Sequence, residues 1–181
     1  MNNFTKTILT VIILGLALTG CGKDEESGNY LQVGDTTIVL SDGNVKYYGS
    51  YSPTTYNFDF DFVSPEITLS NVSGEPTYTG TGTRIYFETF TKESTDPGNG
   101  TYTFDNSGSY GDLTFDYSYY AFEYNYEGMY TSVDIEDGDF SVKKTSTGYE
   151  INFKGTDENG LKVKLHYAGA LTYYNRSNAK K

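Results

Sequence analysis

Aromatic side chains that could stack against a ligand are concentrated between residues 110 and 130. This stretch holds seven tyrosines and two phenylalanines: Tyr110, Phe115, Tyr117, Tyr119, Tyr120, Phe122, Tyr124, Tyr126 and Tyr130. Aromatic faces can pack on the apolar faces of sugar rings, and phenolic hydroxyls can hydrogen-bond to polar groups of the same ligand. The stretch is therefore the candidate ligand-binding site of the chain.

The spacing of these rings indicates how a strand would present them. Neighbouring side chains of a strand point to opposite faces, so a slip of one residue exchanges the two sets. One set is Phe115, Tyr117 and Tyr119, and the other is Tyr120, Phe122, Tyr124 and Tyr126. We expect a bulge or bend near residues 119–120, with the first set buried and the second partly exposed. The second set gives the candidate binding residues; the alternative is that all the rings form cross-strand pairs in a core without tryptophan.

Residue types of the common catalytic and metal sites are scarce. The chain has one histidine, His166, and one cysteine, Cys21, which excludes a His/Cys zinc site. It lacks the Gly-x-Ser-x-Gly turn of many serine hydrolases. Residues 134–139 are acidic but lack the spacing of a calcium-binding EF-hand loop, so a solvated turn is expected there. We predict no catalytic residue, cofactor or metal; the alternative is a glycosidase carboxylate pair, whose separation is purely spatial.

Cys21 directly follows an apolar segment. The apolar run 8–18, preceded by Lys6, is shorter than the about 20 residues of a membrane-spanning helix and has the length of a secretory signal. The sequence Leu18-Thr19-Gly20-Cys21 resembles the lipobox of bacterial lipoproteins. This resemblance implies cleavage after Gly20 and acylation of the Cys21 thiol and of the new amino terminus. Two or more lipid chains would hold the protein stably on a membrane.

The residues after Cys21 are strongly charged. Lys23-Asp24-Glu25-Glu26 resembles the surface-export signal of Bacteroidota lipoproteins, which implies a lipid-anchored protein of the outer membrane that faces the extracellular side. The alternative is a charged, solvated tether. We expect a signal peptide at 1–20, a lipidated cysteine and acidic tether at 21–29, one domain at 30–176 and a basic tail at 177–181.

The charge of the chain limits its partners. Thirteen basic and 24 acidic residues give a formal net charge of −11, and nucleic-acid binding requires clustered lysine and arginine. Nucleic acid is therefore excluded as a partner. Between Lys92 and Lys143 every charged residue is acidic, whereas basic residues outnumber acidic ones after Lys143. This asymmetry is expected to serve solubility and ordinary cross-strand ion pairs; two faces of opposite charge are the alternative.

From Tyr30 onward the chain consists of short apolar and aromatic runs separated by Gly, Pro, Asn and Asp. In residues 56–62 the aromatic residues alternate with Asn57, Asp59 and Asp61, as in a strand with one buried face. Residues 139–144, 149–156 and 161–174 predict a three-strand meander, the last with Leu161 and every second residue after it facing inward. We predict an all-β domain, either an antiparallel two-sheet sandwich or a flattened barrel, of about ten short strands with mostly meander connections.

The strand and turn patterns at 33–43 and 155–174 resemble those of small all-β surface lipoproteins of Bacteroidota, which implies no particular activity. Asp35-Thr36-Thr37 also resembles a Bacteroidota O-glycosylation sequon, although so short a motif also arises by chance. We expect a binding or adhesion module for an extracellular glycan or protein partner, attached to the membrane through its lipid. The alternatives are a structural envelope protein without a ligand site and a polysaccharide-acting hydrolase.

Overall fold

Thirteen β-strands account for nearly all of the regular structure in the computed structural model, which describes residues 28–178. The strands are β1 Tyr30–Val33, β2 Thr36–Val39, β3 Asp42–Ser50, β4 Tyr56–Val63, β5 Ile67–Val72, β6 Glu75–Gly80, β7 Gly82–Thr91, β8 Gly100–Phe104, β9 Thr114–Tyr124, β10 Val133–Thr145, β11 Gly148–Asp157, β12 Lys162–Gly169 and β13 Thr172–Asn175. In this part of the chain no helix is long and apolar enough to cross a membrane. The predicted signal peptide, Cys21 and residues 23–26 lie outside the described residues.

Eleven of the strands form one continuous sheet in the order β13-β3-β4-β7-β9-β8-β10-β11-β12-β1-β2. β2 lies at one edge, yet only Leu40 and Ser41 separate it from β3, which lies next to the other edge strand. The three Cα-to-Cα steps from Val39 to Asp42 span about 11 Å at most. The sheet must therefore curl until its two ends come close together.

The predicted all-β class is confirmed, but the plain antiparallel two-sheet sandwich is wrong. The large sheet is mixed, because β13 runs parallel to β3 and β8 runs parallel to β9. The predicted meander of the C-terminal strands is confirmed for β10, β11 and β12. The predicted last strand, 161–174, is divided in two. β12 ends at Gly169, and the residues after it include β13, which pairs with β3 and not with the meander. Leu161, predicted to face inward, lies before β12 and is 48% exposed.

The curl places one aromatic core between the two halves of the sheet. Phe60 of β4 and Phe87 of β7 lie 5.2 and 4.4 Å, centroid to centroid, from Phe140 of β10. Phe62 of β4 meets Tyr167 of β12 at 4.9 Å. We call the side of the sheet that carries these rings the core face and the opposite side the outer face. Burial of these large apolar surfaces is the main stabilising contribution of the fold.

A hairpin covers part of the outer face. The hairpin β5–β6 forms a separate two-stranded sheet, and its Ile67 and Tyr78 join Val63, Ala121 and Tyr124 in a second apolar cluster. Asp59 and Asp61 of β4, whose alternation placed them opposite the phenylalanines, are 2% and 0% exposed, and Asp61 contacts Tyr78 of the hairpin. The period of the strand was predicted correctly, but this polar face is buried as well.

Candidate functional site

A buried ionic cluster lies on the outer face beneath the hairpin. Lys46 of β3 and Arg84 of β7 both form ion pairs with the carboxylate of Asp61 on the strand between them. The Tyr78 hydroxyl of the hairpin donates a third hydrogen bond to this carboxylate, at 3.0 Å. Burial by itself would raise the pKa of Asp61, but Arg84 and Lys46 outweigh that effect and lower it. The cluster therefore holds a permanently charged group inside the domain.

Four tyrosine rings surround the Arg84 guanidinium. Its Cζ atom lies 4.8 Å from the ring centroid of Tyr124, 5.3 Å from those of Tyr78 and Tyr86, and 5.5 Å from that of Tyr119. Arg84 Nη1 also donates a 2.6 Å hydrogen bond to the Tyr119 hydroxyl. Cations are attracted to aromatic faces, most strongly where water is excluded. These contacts fix the four buried rings around one cation.

A second layer of tyrosines lies over this buried layer. Tyr117, Tyr126 and Tyr130 are 59%, 58% and 40% exposed, and we call these three residues the tyrosine surface. Their rings contact buried rings beneath them: Tyr117 contacts Tyr119 at 5.6 Å, Tyr126 contacts Tyr78 at 5.9 Å and Tyr130 contacts Tyr124 at 4.5 Å. The exposed rings are therefore supported from below by rings that Arg84 holds in place.

Several hydroxyls of this region are committed to internal hydrogen bonds. The Tyr86 hydroxyl donates to Asp59 Oδ2 at 2.7 Å, and the hydroxyls of Tyr119 and Tyr130 lie 3.5 Å apart. Burial is the largest cause of the raised pKa values of Tyr78, Tyr86 and Tyr119. These phenols therefore stay protonated at any physiological pH, and the region can offer stacking faces and neutral hydroxyls to a ligand.

Of the four candidate binding residues, two are exposed and two are buried. Phe122 and Tyr126 are 41% and 58% exposed, whereas Tyr120 and Tyr124 are 2% and 3% exposed. The Tyr120 ring lies on the core face and its hydroxyl donates to Asp157 Oδ2 at 2.7 Å. The expectation that all four would be partly exposed is therefore corrected for Tyr120 and Tyr124.

The chain changes face at two places, one before and one after the predicted position. A register shift against β7 between Phe115 and Ser118 leaves Phe115 on the core face and puts Tyr117 on the outer face. Glu123 has a positive φ of 51°, a conformation uncommon for a residue other than glycine, and it turns Tyr124 to the outer face above Arg84. The expected switch at residues 119–120 is therefore wrong. Of the set expected to be buried, Phe115 and Tyr119 are buried, but Tyr117 is exposed.

Sequence reasoning missed the ionic cluster and the roles of Tyr117 and Tyr130. One usable signal was present: two carboxylates, Asp59 and Asp61, on the polar face of a predicted strand whose neighbours carry Lys46 and Arg84. Oppositely charged residues on adjacent strands are natural ion-pair partners. Nothing local indicated that the hairpin would cover them.

The remaining candidate residues do not join this site. His166 is half-buried on β12, where its Nδ1 lies 2.8 Å from Asn152 Oδ1. Thr36 is exposed at the start of the edge strand β2. Among residues 28–178, no group of three or more His, Cys, Asp or Glu side chains is placed to hold a metal ion.

Comparison with known proteins found no similar protein. No family model, curated protein or solved structure matches this chain.

Proposed function

We propose that this protein is a lipid-anchored binding module of the outer membrane that holds an extracellular glycan against the tyrosine surface, Tyr117, Tyr126 and Tyr130. The observation that carries the proposal is the layered arrangement, in which three exposed rings rest on buried rings packed around Arg84. Apolar surface that stays exposed and is rimmed by polar residues often marks an interaction site. A rigid patch also binds with little loss of side-chain entropy.

The resemblances to lipoprotein signals at the N-terminus support the proposed outer-membrane location. The lipobox-like residues ending at Cys21 would attach the chain to a membrane, and Lys23-Asp24-Glu25-Glu26 would direct it to the cell surface. In that position the domain would meet polysaccharides before any intracellular molecule. Sugar stacking suits tyrosine, which combines a flat apolar face with a hydroxyl.

Binding of oligosaccharides by the full chain and by single variants tests the proposal. A glycan array identifies a ligand, and titration calorimetry then measures its affinity for Tyr117→Ala and Tyr126→Ala. We expect each variant to bind roughly 2- to 10-fold more weakly, the range for loss of one aromatic contact. Their stability should change by less than about 0.5 kcal/mol, since both rings are largely exposed.

Tyr173→Ala provides the matched control, since Tyr173 is 45% exposed on edge strand β13, four strands away from β9 in the sheet order. Its affinity should equal that of the unaltered protein. If Tyr117→Ala and Tyr126→Ala bind as tightly as Tyr173→Ala, the tyrosine surface is not the glycan site. Binding of a protein and of no glycan would instead assign the surface to a protein partner.

A further inference from the structure

A second group of stacked aromatic rings lies near the end of β7, whereas Arg84 lies near its start. Tyr51 follows β3 and Tyr110 lies between β8 and β9, yet their ring centroids are 4.6 Å apart. Both rings contact Phe90 of β7, at 4.9 and 4.8 Å, and Phe90 is fully buried. We call these three residues the Tyr51 stack. Because Tyr51 is 44% exposed, the stack repeats the arrangement of the tyrosine surface, an exposed ring supported by a buried one.

The register with β4 places both groups of rings on the outer face of the sheet. Tyr86 and Phe90 lie opposite Asp61 and Asn57, which alternate with the phenylalanines of the core face. The buried Tyr86 ring contacts the exposed ring of Tyr117 at 6.1 Å. Since a strand rises about 3.3 Å per residue, the four steps from Tyr86 to Phe90 span about 13 Å. The two exposed patches are therefore neighbours on one face, but are farther apart than the width of one sugar ring.

Carboxyl groups lie between the two patches. Glu88 shares the outer face with Tyr86 and Phe90, because alternate residues of a strand point the same way. Burial, and then the negative charge of Glu88, raise the pKa of Asp116 on β9, so the two carboxyl groups lie close together. Carboxylate oxygens accept hydrogen bonds from sugar hydroxyls and repel acidic sugars. The charge between the patches therefore suits a neutral saccharide.

The backbone of Tyr110 has an unusual conformation that serves the stack. Its φ is 49°, in the left-handed region that few residues other than glycine adopt. Strain of this kind persists only where the surrounding structure holds it, and it is frequent at binding sites. Here it brings the Tyr110 ring against both Tyr51 and Phe90. The Tyr51 ring is thus supported by two neighbours while nearly half of the residue stays open to solvent.

We propose that the Tyr51 stack and the tyrosine surface bind one ligand together, and that this ligand is a linear, neutral polysaccharide lying along β7. The inference rests on the proposed glycan binding, because the tyrosine surface supplies half of the contacts. One sugar unit stacks on Tyr117 and another stacks on Tyr51. The hydroxyls of the units between them donate to Glu88 and Asp116. A monosaccharide cannot reach both patches, so the ligand is a chain.

Calorimetric titration of the full chain, purified in detergent, with oligosaccharides of two lengths tests the inference. The probes are β-1,4-linked oligomers of glucose, of xylose and of mannose, each as a dimer and as a hexamer. A hexamer of galacturonic acid is the acidic comparison. We expect a neutral hexamer to bind at least about tenfold more tightly than its dimer, because the hexamer reaches the second patch within the same complex. The acidic hexamer should bind more weakly than that neutral hexamer, because Glu88 and Asp116 repel it.

Substitutions at Tyr51 locate the second patch. Tyr51→Ala should weaken binding of the hexamer roughly 2- to 10-fold, the range for loss of one aromatic contact, and should leave binding of the dimer unchanged. Unchanged dimer binding also shows that the variant is folded. Tyr51→Phe keeps the ring and should retain hexamer binding. Tyr117→Ala should weaken both lengths, and Tyr173→Ala is again the control, since its exposed ring lies on β13.

The outcomes separate this inference from the proposed function. If Tyr51→Ala binds the hexamer as tightly as Tyr173→Ala does, or if hexamer and dimer bind equally, the extended site is wrong. The tyrosine surface then still stands, provided that Tyr117→Ala weakens binding. Weaker binding by Tyr51→Ala but not by Tyr117→Ala or Tyr126→Ala would refute the tyrosine surface itself. Tightest binding of the galacturonic acid hexamer would overturn the neutral ligand, and failure of every probe to bind at millimolar concentration would overturn the inference.

Discussion

Arg84 and Asp61 form an ion pair across neighbouring strands, and the same guanidinium lies 4.8 Å from the ring centroid of Tyr124. The pair therefore connects the buried charge on β4 to the rings that support the tyrosine surface. Because burying charge is costly, such a cluster is stable only while every member keeps its partner. The stability of the domain and the shape of its candidate site thus depend on the same side chains.

Removal of Arg84 should be among the most destabilising single changes outside the aromatic core. Arg84→Ala leaves the Asp61 carboxylate buried with Lys46 as its remaining cation, and we expect a loss of about 3–5 kcal/mol in the free energy of unfolding. Urea unfolding measures this loss. Lys143→Ala is the control, because its pair with Glu150 is exposed and should contribute less than about 1 kcal/mol. Equal effects of the two changes would contradict the importance of the buried cluster.

Acid should weaken the fold through Asp61. Its pKa is lowered in the folded state, so the unfolded chain takes up this proton first as the pH falls. The stabilising contribution is complete above the unfolded pKa of about 3.9 and is lost as the pH falls through the folded value. Carboxyl chemical shifts measured by NMR between pH 2 and 6 should show Asp61 titrating below the ordinary aspartate pKa of about 3.9. Titration at or above that value would refute the assignment.

Two lysines oppose each other on the outer face of the meander. Lys154 of β11 and Lys164 of β12 are register partners, and neither forms an ion pair among the described residues. Like charges in directly opposite positions are destabilising, so Lys164→Glu should raise the free energy of unfolding by about 0.2–1 kcal/mol. The gain should shrink in 1 M salt. Lys162→Glu, which faces Thr156, changes the net charge by the same amount and should gain less; an equal gain would contradict the repulsion between Lys154 and Lys164.

Membrane attachment should depend on Cys21, because the lipobox-like residues end there. Cys21→Ser should release the protein from membranes or leave its precursor uncut, since no lipid can be attached to serine by this route. Cell fractionation with labelled fatty acid measures both effects. Wild-type labelling and membrane attachment of the variant would show that the lipobox reading is wrong.

Surface display should depend on the charged residues after the cysteine. Replacement of Lys23, Asp24, Glu25 and Glu26 by alanine should reduce digestion of the domain by protease added to intact cells. The amount of protein in the membrane fraction should not change. If both forms are digested equally, these residues act as a tether and not as an export signal.

The sequence by itself determined what depends on neighbouring residues. The alternation in β4 predicted which side chains share a face, since the period of a strand is two. Phe58, Phe60 and Phe62 are fully buried, as that alternation requires. The glycine- and asparagine-rich segments were predicted as turns, and Asn159-Gly160 indeed connects β11 to β12, with Gly160 at a φ of 76°. Local backbone preferences suffice for such predictions.

Only the tertiary structure decided what depends on distant residues. Asp61 is buried because a hairpin that begins at Ile67 folds back over it, and no local pattern encodes that cover. Tyr117 lies on the outer face because the register of β9 against β7 shifts between Phe115 and Ser118. Tyr124 is buried because the backbone turns at Glu123 and its ring packs on Arg84. Residues 116–118 have no strand partner on one side among the described residues because β9 changes partner there from β8 to β10. These features arise from long-range contacts, whose free energies outweigh the weak preferences of single residues.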